Sequence, residues 1–442
     1  MKKSENKKET ARSLALVTLK KCEASGQYSN IALDLALNKS ELSSSDRALA
    51  TTLFYGVIEK RITLDYIISR LSSREIKDID RDTLALLRMG IYQLRFLDRI
   101  PDHAAINETV SLATAKTKGF VNAVLRSYTR QGKDIELPCE KEGEAYSLSV
   151  NFSVCERLAE KMCKIFGYEK SKSILASIEG KDTLTLRTNT LKTSRDELLS
   201  KVGGDKTPFS PHGIRTSGQV SALYGFENGL FYVQDEASQL CAMALGAKEG
   251  DVVVDTCSCP GSKSFGIALD MKNKGEIYSF DLHANKLSLV ESMAKRLSID
   301  IIKTEARVAR TPREELLGKV DRVLCDVPCS GFGVLKKKPE LRYKDPEASA
   351  ALPDIQYDIL ESSARYLKDG GVLVYSTCTV FPEENEENVK RFLQAHKEFS
   401  LCPFSAGGLN CESGMITLLP DEHGTDGFFM AKLIKEDKSD RT

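Results

Sequence analysis

Hydrophobic residues in the first third of the chain recur with the period of an amphipathic helix. The repeat is clear in ARSLALVTLKKCEAS, SDRALATTLFYGVIEKRITLDYIISRL and DIDRDTLALLRMGIYQLRFL. Ser45 or Asp46 is suited to cap the second of these segments, and Asp80 is suited to cap the third. The basic stretch KTKGFVNAVLRSYTRQ closes the region, so the pattern predicts an all-α bundle over residues 1–135.

The pattern changes after a polar, proline-containing linker at residues 131–145. Helical and strand-like segments then mix, which predicts a small α+β domain over residues 145–233. From residue 234 to 442, short β-rich runs alternate with helices, as is typical of a parallel sheet covered on both faces. The predicted strands are 251–256, 275–282, 319–327 and 370–377, of which 370–377 is expected to be the last core strand. The fold class is therefore α/β, preceded by the small α+β domain and the helical bundle.

Charge and composition indicate which classes of protein fit this chain. Residues 1–135 hold 23 Lys and Arg against 16 Asp and Glu in a chain of net charge zero. A basic module joined to an acidic one fits a nucleic-acid-binding appendage on an enzyme, although a solvated helix surface gives the same balance. The charged start, residues 1–10, has no apolar stretch behind it, and no apolar run approaches the roughly 20 residues that span a bilayer. We therefore expect a cytoplasmic protein, with its 12 cysteines reduced and no metal site.

Polar residues follow the predicted strands at the edge where such sheets bind ligands. Asp255-Thr-Cys-Ser-Cys-Pro-Gly-Ser-Lys263 joins a strand to a helix, and Gly261 permits a tight turn. The loop lacks the glycine patterns of nicotinamide enzymes and of phosphate loops, which argues against a dehydrogenase or an NTPase. Asp281 follows Gly261 by 20 residues, where an acidic residue can accept hydrogen bonds from ribose hydroxyls, although a surface aspartate would look the same.

Thiols follow two further strands. Cys325-Asp326-Val-Pro-Cys329-Ser-Gly precedes three lysines, residues 336–338, that either contact phosphate or form a solvated patch. Tyr375-Ser-Thr-Cys378-Thr-Val-Phe-Pro-Glu-Glu-Asn-Glu ends the strand at 370–377. A thiolate is a strong nucleophile, yet most cysteines are inert small hydrophobes. The residues alone leave the roles of both thiols open.

Together these motifs resemble the RNA (cytosine-5)-methyltransferases, specifically a bacterial small-subunit ribosomal RNA type, over nearly the whole chain. Residues 257–263 match that family's Cys-Ala-Ala-Pro-Gly-Gly-Lys, and the segments at 326–331 and 376–378 match its two cysteine motifs. Arg187-Thr-Asn189 and the segment at 232–238 are similar to its sequences before and at the start of the catalytic domain. The N-terminal bundle resembles the fold of the NusB antitermination factor.

The resemblance implies a fold, a cofactor and an activity. The last domain would be Rossmann-like and use S-adenosyl-L-methionine, the middle domain would be RRM-like, and the helical domain would bind RNA. The substrate would be 16S ribosomal RNA in an unassembled or partly assembled small subunit, and the protein would be a monomer without a metal. The implied cofactor-binding residues are Cys257, Ser258, Cys259, Pro260, Gly261, Ser262, Lys263, Asp281, Glu305 and Asp326.

The resemblance also assigns the catalytic residues. Cys378 would attack carbon-6 of the cytosine, Asp326 would hydrogen-bond ring nitrogen 3, and Cys329 would take part in release of the product. Ser258, Cys259 and Ser262 depart from the family's loop, and Glu305 stands where the family usually has Asp, so that its charge is kept but moved.

Two alternatives stay open at this point. The same chemistry serves enzymes that act on transfer RNA or DNA, and a non-catalytic RNA-binding assembly or antitermination factor would share the helical bundle. The presence of both thiols, with Asp326 and Lys263, argues against loss of catalysis.

Overall fold

The computed structural model describes residues 9–25, 29–180 and 183–437. Residues 1–8, which belong to the segment where we expected no signal peptide, lie outside the described part. The chain divides into two compact units, one formed by Met1–Ala176 with Lys337–Pro346 and the other by Ser177–Lys336 with Glu347–Thr442. The domain limits expected from the sequence stay a prediction.

The first unit is a helical bundle. Its helices are α1 (Ala11–Ser25), α2 (Ser29–Asn38), α3 (Ser44–Glu59), α4 (Arg61–Leu71), α5 (Arg81–Phe96), α6 (Asp102–Ser111), α7 (Lys118–Arg130), α8 (Glu144–Phe152), α9 (Glu156–Phe166) and α10 (Tyr168–Ser177). Helix α5 packs against α1, α3, α4, α6 and α7, and its Leu87, Met89 and Ile91 are fully buried. The bundle therefore closes around α5.

Helix caps fix where two of these helices begin. Asp80 caps α5 as predicted, since its carboxylate accepts the Thr83 N–H at 3.0 Å. The prediction of Ser45 or Asp46 as the cap of α3 was wrong. The helix begins earlier, at Ser44, and the side chain of Ser43 accepts the Asp46 N–H at 3.2 Å.

A late segment of sequence, Lys337–Pro346, completes the first unit. Arg342 is buried and donates from Nη1 to the carbonyl of Phe152 at 3.0 Å. The hydroxyl of Tyr343 lies 2.9 Å from Ser153 Oγ and accepts the Arg61 N–H at 3.1 Å. The Arg61 guanidinium lies 3.7 Å from the centroid of the Tyr343 ring. These contacts satisfy backbone groups at the start of α4 and the end of α8.

The second unit begins with a small antiparallel sheet. Its elements are β1 (Leu184–Thr188), α11 (Arg195–Val202), β2 (Asp205–Lys206), β3 (Gly213–Thr216) and β4 (Phe231–Val233). The strand order is β2-β3-β1-β4, and Leu186, Leu198, Ile214 and Phe231 form its buried core.

A larger sheet follows with helices on both faces. Its unit contains α12 (Glu236–Leu245), β5 (Val252–Asp255), α13 (Ser262–Asp270), β6 (Glu276–Asp281), α14 (Ala284–Leu297), β7 (Ile302–Ala306), β8 (Val320–Asp326), α15 (Leu352–Ala364), β9 (Leu367–Thr377), α16 (Glu386–Ala395), β10 (Phe399–Leu401), β11 (Phe404–Ala406), β12 (Leu409–Cys411), β13 (Met415–Leu418), α17 (Pro420–His423) and β14 (Phe428–Lys435). The strand order is β10-β14-β9-β8-β5-β6-β7, with β13 also paired to β14. Strands β5 to β9 run parallel, and the order reverses between β5 and β8, where ligands of doubly wound sheets bind.

The α/β fold class is confirmed, but four strands of the larger sheet were missed: β7, β10, β13 and β14. Residues 370–377 were predicted as the last core strand, which was wrong, because β14 pairs antiparallel with β9 further along the chain. Phe428, Phe429, Met430 and Ala431 of β14 are all buried. Among the described residues, no helix combines the length and the apolar character needed to cross a membrane.

Candidate active site

The loop from β5 to α13 is shaped by its backbone. The Ser258 N–H donates to the carbonyl of Phe280 at 2.7 Å, and the Gly261 N–H donates to the carbonyl of Ser258 at 2.6 Å. Gly261 has a φ of +97°, and a Cβ at this position would lie 2.6 Å from Cζ of Phe265. Glycine is therefore required here for conformation and for space.

The predicted ribose ligand lies beside this loop. Asp281 ends β6, and its Oδ2 accepts the Cys259 N–H at 3.2 Å while its Oδ1 accepts the His283 N–H at 2.9 Å. Burial and the Asp281 charge raise the pKa of Cys259 to about 12, so this thiol stays protonated. The carboxylate keeps free lone pairs for ligand hydroxyls.

The other predicted loop residues serve different purposes. Cys257 packs against the core, and burial raises the pKa of its thiol well above the usual range. Pro260 follows a cis peptide bond, and Ser262 begins α13, where its carbonyl accepts from Gln234 Nε2 at 3.0 Å. The buried Oγ of Ser258 has no protein partner among the described residues. An unpartnered polar atom in this loop fits the binding of a polar ligand.

Asp255 ends β5 beneath the loop and is fully buried. Its Oδ2 accepts from Ser264 Oγ at 2.6 Å, whereas Oδ1 has no partner in the part of the chain that the structure describes. Burial raises the pKa of Asp255 to about 7. The carboxyl therefore titrates near neutral pH.

Glu305 lies in β7, next to the strand that carries Asp281, since Phe280 and Glu305 are paired in register. Its Oε1 accepts from Arg307 Nη2 at 2.7 Å, and its Oε2 accepts from Arg313 Nη1 at 3.1 Å. Both oxygens of Glu305 are therefore bonded to arginines, and its role in cofactor binding stays a prediction.

Lys263 belongs to the loop at 257–263, but its side chain contacts the motif that contains Asp326 and Cys329. Its Nζ lies 2.7 Å from Asp326 Oδ2 and 5.2 Å from the centroid of the Phe428 ring. Burial alone would lower the pKa of Lys263, but the Asp326 charge outweighs it and raises the pKa above the usual range. Asp326 Oδ1 accepts from Ser376 Oγ at 2.8 Å, so a charged pair is held at the ends of β8 and β9.

The two motif thiols meet next to this pair. Sγ of Cys329 and Sγ of Cys378 lie 3.0 Å apart, and the Cys378 N–H donates to Cys329 Sγ at 3.3 Å. The hydrogen bond with Cys378 and burial raise the pKa of Cys329 well above its usual range. The structure thus brings together all three side chains that the sequence proposed as catalytic, Cys378, Cys329 and Asp326.

The motif around Arg187 supports the loop from behind. Arg187 lies in β1, is fully buried, and donates from Nη2 to the Gly266 carbonyl at 3.1 Å and to Asp270 Oδ1 at 2.8 Å, both on α13. Asn189 Nδ2 donates at 2.8 Å to the carbonyls of Gly229 and Leu297. Sequence reasoning found these residues through the resemblance alone, and their position shows that the small sheet braces the helix after the loop.

The fold and the site together define a class. A doubly wound sheet with a glycine loop after its first strand and an acidic residue ending the second is a frame for nucleoside-containing ligands, and S-adenosylmethionine-dependent methyltransferases are one class that uses it. A family model described as 16S rRNA methyltransferase RsmB/F matches residues 242–434, and the NusB family matches residues 9–130. The chain belongs to the RsmB/F family of 16S rRNA methyltransferases.

Relatives and solved structures agree with this family. The chain is 36% identical to the probable ribosomal RNA small subunit methyltransferase B of Bacillus subtilis, covering 97% of this chain and 100% of the relative. It is 33% identical to ribosomal RNA small subunit methyltransferase B of Escherichia coli over 99% of this chain and 100% of the relative. The crystal structure of PH0851 has a TM-score of 0.78 at 27% identity, and the match covers 98% of this chain and 100% of that one. The crystal structure of NSun6 from Pyrococcus horikoshii with SFG has a TM-score of 0.57 at 26% identity, and the match covers 64% of this chain and 99% of that one.

Proposed function

We propose that the protein methylates carbon-5 of a cytosine in 16S ribosomal RNA through a covalent bond between Cys378 and the base. One observation carries the proposal: the sulfurs of Cys329 and Cys378 lie 3.0 Å apart beside the Lys263–Asp326 pair. Methylation of a nitrogen or of a ribose hydroxyl needs no thiol, whereas carbon-5 of cytosine is too electron-poor to react unaided. Two half-buried thiols at the ends of adjacent strands fit the carbon chemistry.

Attack by the thiolate of Cys378 on carbon-6 makes carbon-5 nucleophilic. Asp326 and ring nitrogen 3 are both acceptors when unprotonated, so a proton shared between them makes their hydrogen bond, and the Lys263 ammonium adds positive charge where negative charge develops. After methyl transfer a base removes the carbon-5 proton, and the bond to Cys378 breaks to free the product. The contact between the two sulfurs lets Cys329 donate a hydrogen bond to a thiolate at Cys378, and the choice of Cys378 as the nucleophile follows the family resemblance.

The side of the site at β5 and β6 holds the cofactor, whose sulfonium supplies an electrophilic methyl group when bound. Asp281 would bind its ribose hydroxyls, and the backbone of the loop at 257–262 would line the rest of its site. Leu282 and Val308 are large apolar residues with 62% and 46% of their surface exposed, and the Arg307 N–H donates to the Asp281 carbonyl, so they flank the same strand end. These two residues would contact the adenine of the cofactor.

Ribosomal RNA as the substrate is supported by the names of the relatives and by the helical unit. Exposed cations lie along the α7 region, at Lys116, Lys118, Arg126 and Arg130. The target base must be unstacked to reach the thiols, so it lies in a loop or an opened helix. A monomeric enzyme that acts in the cytoplasm on an unassembled or partly assembled small subunit remains part of the proposal.

The thiols provide the test. Cys378→Ala should abolish methylation of 16S rRNA, measured by bisulfite sequencing, and leave no covalent RNA complex. Cys329→Ala should block turnover after attack, so that a protein–RNA adduct survives denaturing electrophoresis. The double variant should lose that adduct, because it depends on Cys378.

Matched controls come from thiols outside the site. Cys139 and Cys402 are free cysteines far from both motifs in sequence, and their alanine variants should methylate normally. An adduct formed by Cys378→Ala and not by Cys329→Ala would reverse the two roles. Full methylation by both site variants would refute the covalent mechanism, and modification of transfer RNA in place of 16S rRNA would favour the alternative substrate.

A further inference from the structure

A second layer of polar side chains lies beneath the thiols. Glu384 follows β9 and leaves only 2% of its surface exposed. In the part of the chain that the structure describes, no cationic side chain pairs with it, whereas the buried Arg187 and Lys263 each pair with an aspartate. Burying a carboxyl group without a cation is costly unless hydrogen bonds compensate.

The hydrogen bonds of Glu384 go to the loop that carries Cys329. Its Oε2 accepts the N–H of Ser330, the residue after Cys329, at 2.9 Å. The same oxygen accepts from Gln356 Nε2 at 2.8 Å. Gln356 Nε2 also donates to the carbonyl of Pro328, the residue before Cys329, at 3.0 Å. Backbone groups on both sides of Cys329 are therefore held by one carboxyl and one amide.

Neighbouring side chains fix this pair in place. Asn388 Nδ2 lies 3.3 Å from Gln356 Oε1, which orients the Gln356 amide with its nitrogen towards Glu384. The hydroxyl of Tyr375 donates to the Glu384 carbonyl at 2.6 Å. Ser330 Oγ lies 2.9 Å from Thr379 Oγ1, which ties the Cys329 loop to the residue after Cys378. The arrangement is anchored on β9 and on helices α15 and α16.

We propose that Glu384 and Gln356 are positioning residues that clamp the peptide groups on both sides of Cys329 and so keep its sulfur in contact with that of Cys378. The inference deepens the proposed function, because it assigns the clamp to the step in which Cys329 acts. Attack by Cys378 does not depend on the clamp, whereas release of the methylated base does. Loss of the clamp should therefore have the same effect as loss of Cys329, namely slow release of the methylated base from Cys378.

The kinetic test compares two variants of the full chain with the unsubstituted protein, each acting on 16S rRNA. Glu384→Ala removes the acceptor and should lower turnover about 100-fold, the usual cost of misplacing a reacting group by about 1 Å. It should also accumulate a Cys378-dependent adduct, which a general loss of packing would not do. Glu384→Gln keeps an acceptor oxygen for both donors and should retain most turnover without the adduct.

Further variants guard against misfolding. Gln356→Leu keeps the volume, removes the amide and should accumulate the adduct as Glu384→Ala does. Glu387→Ala, at an exposed position in the first turn of α16, should behave as the unsubstituted protein. Calorimetry with S-adenosylhomocysteine should show unchanged affinity in each variant. Where Cys329→Ala does form the adduct, an adduct in Glu384→Gln, or none in both Glu384→Ala and Gln356→Leu, would overturn the clamp.

A second measurement needs no RNA. Diamide accepts two protons and two electrons from a pair of thiols and leaves a disulfide, so the rate of the Cys329–Cys378 cross-link reports their separation. Mass spectrometry after acid quenching and alkylation should show a slower cross-link in Glu384→Ala and a normal rate in Glu384→Gln. Equal rates in all variants would overturn the clamp. A slower cross-link in Glu384→Ala combined with no adduct in Cys329→Ala would keep the clamp and refute the covalent mechanism.

Discussion

The two halves of the site are built from different parts of the chain. At β5 and β6, backbone groups and small residues form the surface, as in the contacts of Ser258, Gly261 and Asp281. At β8 and β9, side chains hold one another, as in the Lys263–Asp326 pair. The first half therefore recognises its ligand by shape, whereas the second half positions reactive groups. Substitutions in the first half should change cofactor affinity, and those in the second should change turnover.

Among the substitutions that test this division, the largest effect on turnover is expected at Lys263. This residue lies in the loop of the first half, but its side chain contacts Asp326 in the second half. Lys263→Met should lower turnover by about 100- to 1000-fold, because it removes a preorganised charge from the reacting base. Affinity for S-adenosylhomocysteine should change little. Single-turnover kinetics and calorimetry separate the two quantities.

The same substitution at Lys274, in an exposed ion pair with Glu249, is the control for Lys263 and should leave both quantities unchanged. If Lys263→Met lost cofactor affinity with normal turnover of the saturated enzyme, Lys263 would be a cofactor ligand, as the sequence first implied. The division into two halves would then fail at this residue.

A smaller effect is expected at Asp281, where a substitution should change cofactor affinity and not turnover. Asp281→Asn removes the charge that accepts ribose hydroxyls, so the Kd for S-adenosylmethionine should rise about 10- to 100-fold. Turnover at saturating cofactor should stay near that of the parent. Asp300→Asn, an exposed aspartate before β7, is the matched control. A drop in saturated turnover without a change in Kd would contradict the comparison.

The smallest effect on the reaction is expected at Asp255, which lies at the border of the halves and affects the stability of the fold. Burial raises its pKa to about 7, so the folded state binds a proton that the unfolded chain releases at lower pH. The resulting stability is fully present below about pH 4 and is lost as pH rises from there to 7, by about 1.4 kcal/mol for each pH unit; above pH 7 both states have released the proton and the loss stops. Asp255→Asn should make Tm less sensitive to pH between 4 and 7, measured by scanning calorimetry. An equal decline of Tm in both proteins would place the titration elsewhere.

The sequence predicted much of this fold because its periodicities are strong. Helical repeats defined the bundle, and apolar runs defined β5, β6, β8 and β9 within a few residues. Strand β14 was missed because FFMAKLIK does not alternate, being buried on both faces where it begins. Periodicity alone cannot separate such a strand from a buried helix.

The site was predictable only in part. Strand ends indicated where the reactive residues collect, but the resemblance alone ranked Cys378 above Cys329. The acidic run at residues 383–387 looks solvated in sequence, and only packing distinguishes the buried Glu384 from the exposed Glu387. The destination of Lys263 was equally hidden, because a side chain at the start of α13 can reach the end of either adjacent strand.

The Lys337–Pro346 segment has a consequence for how the protein is made. Domains fold as units as the chain emerges during translation, N-terminal first, but this helical unit is not complete until residue 346 has left the ribosome. Until then the carbonyl of Phe152 and the hydroxyl of Ser153 lack the partners that Arg342 and Tyr343 provide. A fragment that stops at residue 176 therefore keeps an unfinished surface, and fusing the 337–346 segment to it offers a route to a better-behaved N-terminal fragment.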